Sequence, residues 1–147
     1  ELLQKYLKEA DTVIDVGCGS AILGIAAVKL GAKFAYLTDI DYVAVRSAEH
    51  NCLLNGTADK TKVALSDLLE NAEIRGGLMT ANITADILCR LSGSIPKNLQ
   101  EGGTLILSGI IESKLEQVKR AYAEKGLCLI EQIRKGEWFA LAMRREK

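Results

Sequence analysis

The sequence has little proline, one histidine, no excess of either charge and no long apolar run. Its 147 residues include a single proline, Pro96, and 19 basic residues balance 19 acidic ones. A chain that neutralises many nucleic-acid phosphates usually carries a basic excess, so we expect no direct nucleic-acid partner. The apolar runs fall short of the roughly 20 residues of a membrane helix, and the first residues lack the basic and apolar regions of a signal peptide. We therefore expect a cytoplasmic protein without membrane contact.

Cysteine and histidine are too sparse and too widely spaced for a metal site. The four cysteines, Cys18, Cys52, Cys89 and Cys128, form no CxxC pair, and His50 is the single histidine. Structural zinc sites need such ligands in sets at short spacings. Each cysteine also lies in an apolar segment, so we predict free, buried thiols and no bound metal.

Short apolar runs alternate with amphipathic stretches along most of the chain. This alternation is typical of an α/β protein in which parallel strands are joined through helices. A terminal hairpin must add antiparallel pairing at one edge of the sheet. Ser113 and Glu116 predict a capping box at the start of the last helix. We predict strands over 12–16, 34–38, 62–66, 77–82 and 104–108, helices over 2–9, 21–30 and 42–54 and after residues 84 and 113, and a hairpin of 127–133 with 138–143.

Polar residues and glycines follow the first two predicted strands. Ligands of open α/β sheets bind beyond the carboxyl ends of the strands, so these positions are candidates for a binding site. Gly17 and Gly19 lie between strand and helix, where they allow a sharp turn and a close approach to a ligand. Asp39 follows Gly17 by 22 residues and ends the next strand, where a carboxylate can bind a ribose diol. Asp41 suits the N-cap of the following helix.

A dinucleotide and another adenosine-containing cofactor both fit this arrangement. The third glycine of the dinucleotide fingerprint is missing, because position 22 is Ile. Asp15 precedes the turn and would favour a cationic group, such as a cofactor amine, over a pyrophosphate. Asp67, after the third strand, offers an acceptor for an adenine amino group. An NAD-dependent oxidoreductase is therefore the alternative.

The ordered motifs resemble those of a known enzyme family. Asp15–Gly19, Asp39, Asp67 and Ala81–Ile83 match the motifs of class I S-adenosylmethionine-dependent methyltransferases. The segments TANITADIL, EGGTLILSGI and GEWFAL make the chain more similar still to the ribosomal protein L11 methyltransferases, over residues 12–144. The resemblance implies a Rossmann-like fold, with a mostly parallel twisted sheet of about seven strands, helices on both faces and a C-terminal antiparallel hairpin.

The resemblance also implies a role for each motif position in binding S-adenosylmethionine and passing its methyl group to an amine of a ribosomal protein. The protein has to align donor and acceptor, and the reaction needs neither a metal nor a nucleophilic side chain. Oxygen acceptors near Asn82 would hold the amine in line with the methyl group. The implied contacts are Gly17 and Gly19 with the methionine part, Asp15 with the loop and the amino group, Asp39 with the ribose, Ile40 with the adenine face, Asp67 with the adenine amine, and Asn82 with the methyl group and the acceptor amine.

Two departures from the family pattern affect these expectations. Position 21 is Ala where the family usually has Gly, which makes the loop stiffer. The family's upstream Gly/Thr-rich segment and N-terminal substrate-recognition domain are not in these residues. We therefore expect residues 1–147 to be a single S-adenosylmethionine-binding catalytic domain, with weak or no turnover alone.

Three other functions stay open. A methyltransferase of this fold could act on another protein, on RNA or on a small molecule. Enzymes that methylate a base usually stack it on an aromatic side chain, whereas Ile83, Thr84 and Ala85 follow Asn82, which favours a protein amine. The domain could also bind the cofactor without catalysis, or be the NAD-dependent oxidoreductase named above.

Overall fold

A computed structural model describes residues 1–8 and 11–147, which form one seven-stranded sheet. The strands are β1 (Thr12–Val16), β2 (Phe34–Asp39), β3 (Thr61–Leu65), β4 (Gly76–Asn82), β5 (Leu99–Ile111), β6 (Leu127–Lys135) and β7 (Trp138–Arg145). Their spatial order is β3-β2-β1-β4-β5-β7-β6. The first five strands pair in parallel, whereas β7 runs antiparallel to both β5 and β6. The predicted parallel sheet with a terminal hairpin is confirmed.

Six α-helices and two short 3₁₀ helices are formed by the described residues. The α-helices are α1 (Leu2–Tyr6), α2 (Ile22–Lys29), α3 (Tyr42–Leu54), α4 (Ala85–Leu91), α5 (Ile95–Asn98) and α6 (Glu112–Ala123), and the 3₁₀ helices are Ala58–Lys60 and Ser92–Ser94. The helix predicted over 2–9 ends at Tyr6, and its position 9 lies outside the described residues. None of these helices is both long and apolar enough for a membrane span.

Both faces of the sheet are buried under helices, because successive residues of a strand point to opposite faces. On one face, Val13 and Leu78 pack with α1, α2 and α3. We call this the α2 face. On the other, Ile14 and Met79 pack with α4 and α6. The predicted arrangement of helices on both faces is confirmed, and the carboxyl ends of β1, β2 and β4 meet at one edge between the two layers.

The structure differs from the prediction around Ile111. The predicted strand over 104–108 continues to this residue, because Ile111 pairs with Trp138 of the antiparallel β7. The last helix then starts at once, with Ile111 at the N-cap position and Glu112 as its first residue. No side chain in the part of the chain that the structure describes caps this helix, so the capping box predicted from Ser113 and Glu116 is wrong.

Candidate active site

The loop between β1 and α2 turns on three residues with left-handed backbone. Gly17, Gly19 and Ala21 have φ angles of +70°, +54° and +71°. Glycine adopts this region freely, whereas a residue with a Cβ loses about 1 kcal/mol there, so Ala21 keeps the turn with some strain. The Cys18 amide donates a hydrogen bond to the Thr38 carbonyl (2.9 Å), which fixes the loop against β2.

Asp39, at the end of β2, holds the tip of this loop. One of its carboxylate oxygens accepts a hydrogen bond from the Gly19 amide (3.0 Å), and the other accepts one from the Asp41 amide (2.9 Å). Since each carboxylate oxygen can accept a second bond, the pair can still receive the hydroxyls of a diol. Helix α3 adds a further anchor, because the Asn51 side chain donates to the Ser20 carbonyl (2.9 Å).

The residues after Asp39 present apolar side chains beside it. Ile40 is 70% exposed, and Tyr42 and Val43 in the first turn of α3 are exposed as well. Asp41 caps this helix by accepting a hydrogen bond from the Val43 amide (2.9 Å), which confirms its predicted role. An exposed aliphatic side chain next to a carboxylate that can accept a diol suits the face of a purine ring, because stacking there removes apolar surface from water.

Asp15 is a buried carboxylate immediately before the loop. It is 1% exposed, and one of its oxygens accepts a hydrogen bond from the Thr80 hydroxyl of β4 (2.7 Å). The other oxygen, Oδ2, has no hydrogen-bond partner among the described residues. Burial raises the pKa of Asp15 to about 7 and the Asp39 carboxylate acts in the same direction, whereas the Thr80 hydrogen bond and the backbone amide of Gly24 oppose both. A cation near Oδ2 would stabilise the ionised form.

Asp67 lies two residues after β3 and already has a partner. Its carboxylate forms an ion pair with Arg90 of α4 at 2.9 Å. It also lines a separate cavity of about 370 Å³, whose walls include Tyr36 and Ser66. The predicted contact of Asp67 with an adenine amine stays a prediction, since Arg90 occupies one of the two carboxylate oxygens.

Two oxygen acceptors lie together at the end of β4. A Cβ at Gly109 would lie 2.9 Å from Oδ1 of Asn82 and 3.2 Å from the carbonyl oxygen of Ile83. Gly109 therefore keeps open the space in front of both oxygens. The glycine loop is next to them, because a Cβ at Gly17 would lie 2.5 Å from Cγ2 of Ile83. The structure thus brings Gly17 and Asn82 to the same edge of the sheet.

A cavity of about 520 Å³ opens beside Asn82 and Gly109. We call it the Asn82 cavity. Its walls are mainly apolar and come from α1, α2 and strands β4 to β7. Its charged lining residues, Lys135 and Glu1, form an ion pair at 3.7 Å. This lining is suited to an alkyl chain better than to a phosphate backbone.

Comparison with known proteins identifies the family to which this chain belongs. The sequence profile of the family described as ribosomal protein L11 methyltransferase (PrmA) matches residues 1–146. The chain belongs to this family. The crystal structure of an L11 methylase from Lactobacillus delbrueckii subsp. bulgaricus superposes with a TM-score of 0.94 at 36% identity, over 99% of this chain and 75% of that one. The predicted class I methyltransferase fold is confirmed.

Two curated L11 methyltransferases show how much of a relative this chain represents. The protein of Brevibacillus brevis is 41% identical over 143 residues, which cover 97% of this chain and 46% of the relative. The protein of Pelotomaculum thermopropionicum is 43% identical with the same coverage. The chain thus spans about half the length of these L11 methyltransferases.

The cysteines are free thiols, but they are not all buried. Cys18 and Cys52 are buried, Cys89 is partly buried and Cys128 is exposed. The prediction of buried thiols is therefore wrong for Cys128, which lies on the edge strand β6. Burial raises the pKa of Cys18 to about 12, so the thiol in the loop stays neutral and unreactive. Among the described residues, no cluster of three or more His, Cys, Asp or Glu side chains could hold a metal ion.

Three contributors to this candidate site were not found from the sequence. Thr80 holds Asp15, Asn51 holds the loop, and Gly109 clears the space before Asn82. The available signal for Thr80 was a polar residue within the apolar strand β4. Gly109 lies inside β5, where the sequence shows no turn pattern. Asn51 lies in α3 among other polar residues, so nothing distinguishes it in the sequence.

Alanine substitutions at the two loop glycines should separate stability from binding. At Gly17 a Cβ would clash with Ile83, whereas at Gly19 it would meet no atom of residues 1–8 or 11–147 within 4 Å. We expect Gly17→Ala to lower the free energy of unfolding by about 2 kcal/mol, through backbone strain and the clash. Gly19→Ala should lower the free energy of unfolding by about 1 kcal/mol, and the added Cβ should lower the affinity for S-adenosylhomocysteine about tenfold. Urea unfolding measures the stability and calorimetry measures the affinity. Equal losses of stability in the two variants would contradict the clash inferred at Gly17.

Proposed function

We propose that this chain is the catalytic domain of an S-adenosylmethionine-dependent methyltransferase that modifies amino groups of ribosomal protein L11. The observation that carries the proposal is the contact of the Gly19 loop with the Asp39 carboxylate, close to the oxygen acceptors of Asn82 and Ile83. A diol-binding carboxylate next to a pair of amine acceptors suits a nucleoside donor and an amine substrate. Membership of the L11 methyltransferase family supports the same reaction.

The residues around the loop fit S-adenosylmethionine. The space at Gly19 is open, Asp39 keeps acceptor capacity for the ribose diol, and the exposed Ile40 can cover the adenine. The unpartnered oxygen of Asp15 suits a cationic part of the cofactor. The cofactor, when bound, supplies a methyl group on a positively charged sulfur. The contribution of the chain is to fix the direction in which that group faces.

Asn82 and Ile83 would hold the acceptor amine. Their two oxygens can accept the N–H groups of a neutral primary amine, which leaves the nitrogen lone pair free to point at the methyl group. Gly109 keeps the approach to these oxygens clear. The apolar walls of the Asn82 cavity would accommodate the alkyl chain that carries the amine.

We further infer a cytoplasmic protein substrate and a need for the family's N-terminal domain. The paired Lys135 and Glu1 and the zero net charge favour a protein over a nucleic acid. Because the chain spans about half of its curated relatives, we expect residues 1–147 alone to bind the cofactor weakly and to turn over slowly or not at all.

Methyl transfer to L11 tests the proposal. This chain would be fused to the N-terminal domain of the Brevibacillus brevis relative and incubated with L11 and labelled S-adenosylmethionine. We expect Asn82→Ala to lower kcat about 30-fold, because one of two amine acceptors is lost, with little change in the KM for the cofactor. Asn55→Ala, which removes an exposed amide at the end of α3, is the matched control and should keep full activity.

Two outcomes would contradict the proposal. One is a wild-type fusion that leaves L11 unlabelled while the full-length relative labels it in parallel. The other is calorimetric titration of the 147-residue chain that shows binding of NAD and none of S-adenosylhomocysteine at about millimolar ligand.

A further inference from the structure

Thr80 is a polar residue in the middle of a buried strand. It is the one polar side chain of β4 before Asn82, and it pairs directly with Asp15 in the ladder between β4 and β1. Both residues are 1% exposed. Valine has almost the same shape and a high preference for strands. The hydroxyl, and not the size of the side chain, therefore requires an explanation.

The contact of this hydroxyl acts on the charge of Asp15. The Thr80 hydroxyl donates to Oδ1 of Asp15 at 2.7 Å, while Oδ2 has no partner among the described residues. A donor of this kind stabilises a carboxylate relative to the neutral acid. Since Asp15 lies immediately before the glycine loop, a positive group bound on that loop would lie close to its charge.

Of the other groups around Asp15, the backbone amide of Gly24 in α2 also favours the carboxylate, whereas two influences act in the opposite direction. Burial and the Asp39 carboxylate of β2 favour the neutral acid, and the pKa of Asp15 is raised to about 7. The Cys18 thiol of the loop is neutral, because burial raises its pKa to about 12. Strand β4 has no charged residue, and Lys29, the one charged residue of α2, lies at the far end of that helix. Near neutral pH Asp15 is therefore partly protonated in the free protein, and the Thr80 hydrogen bond shifts this protonation equilibrium toward the carboxylate.

We propose that Thr80 is a positioning residue for cofactor binding: its hydroxyl favours the ionised form of Asp15 that the ammonium group of S-adenosylmethionine requires, and binding completes this ionisation by releasing the proton that remains. This inference rests on the proposed function and adds a proton-linked step to it. In that step the Asp15 O–H bond loses its proton to water, and the carboxylate faces the positive charge of the ligand. Affinity should therefore rise with pH until Asp15 is ionised in the free protein.

Calorimetry of the 147-residue chain with S-adenosylhomocysteine tests the inference directly. Titration in two buffers of different ionisation enthalpy counts the protons released on binding. We expect close to one proton at about pH 6 and almost none at about pH 8.5. Thr80→Val should move the midpoint of the affinity profile upward by about one pH unit and weaken binding several-fold at neutral pH. Thr80→Ser keeps the hydroxyl and should restore the wild-type profile.

Two controls separate a charge effect from a structural one. The ligand 5′-methylthioadenosine has the same nucleoside but no ammonium group, so it should release no proton and bind wild type and Thr80→Val equally. Thr104→Val removes a buried hydroxyl from the same face of the neighbouring β5 and should leave the midpoint unchanged.

The possible failures are distinguishable. Wild-type binding of S-adenosylhomocysteine without proton release, or an unchanged pH profile for Thr80→Val, would overturn the inference and leave the proposed function intact. Absence of S-adenosylhomocysteine binding at every pH would overturn both. If Thr80→Val does not fold, Thr80→Ala removes the same hydroxyl and takes its place, and an unchanged pH profile for that variant would overturn the inference in the same way.

Discussion

Replacing Asp39 with alanine is expected to lower the affinity for S-adenosylhomocysteine about 300-fold, because the ribose diol loses two hydrogen bonds to a charged group at about 1.5–3 kcal/mol each. The Gly19 amide loses its acceptor as well, so the loop is less well ordered before the ligand arrives. Calorimetric titration at about pH 8, where Asp15 is ionised, measures the loss without interference from proton release.

Asp41→Ala is the matched control for this substitution. Asp41 is a neighbouring carboxylate that caps α3 through the Val43 amide. Removing it should lower the free energy of unfolding by about 1 kcal/mol and change the ligand affinity less than about threefold. Equal affinities of the Asp39 and Asp41 variants would contradict the assignment of the ribose to Asp39. Circular dichroism of both variants checks that each retains its fold.

Much of the fold was predictable because the local patterns are strong. The bounds of β1 and α3 match the prediction, since an apolar run ends at Gly17 and an N-cap precedes a periodic helix. The length of β5 was not predictable, because the extension through Ile111 depends on a partner strand 27 residues later in the chain, at Trp138. The exposure of Cys128 likewise depends on β6 being at the edge of the sheet, which no local pattern reveals.

The predictable part of the site follows from one rule of parallel sheets. Strand ends meet at one edge, so the approach of Asp39 to the Gly19 loop could be predicted from the order of elements alone. The contact of Thr80 with Asp15 requires the register between β1 and β4, and a shift of one residue would place Thr80 on the other face. Contacts set by register between distant segments are therefore what sequence reasoning misses here.

The buried carboxylate of Asp15 should make the folded protein less stable at neutral than at acidic pH. In the unfolded chain Asp15 has its ordinary pKa of 3.8, whereas in the folded protein burial raises the pKa to about 7. Between these values the folded state binds a proton that the unfolded state has lost, so stability falls by about 1.4 kcal/mol per pH unit. The stabilising contribution is complete below about pH 4 and is lost as the pH rises to about 7.

Asp15→Asn should remove this dependence, because an amide does not ionise. We expect the variant to exceed wild type in unfolding free energy by about 4 kcal/mol at pH 8 and by almost nothing at about pH 4, as measured by urea unfolding. Its affinity for S-adenosylhomocysteine should fall about 50-fold, since the ammonium group loses its counter-charge. Asp59→Asn, at an exposed position, should change neither quantity. A stable variant with unchanged affinity would refute the role of Asp15 in binding. A gain in stability together with a loss of affinity would mean that this position has a carboxylate because the ligand requires it, and not because the fold does.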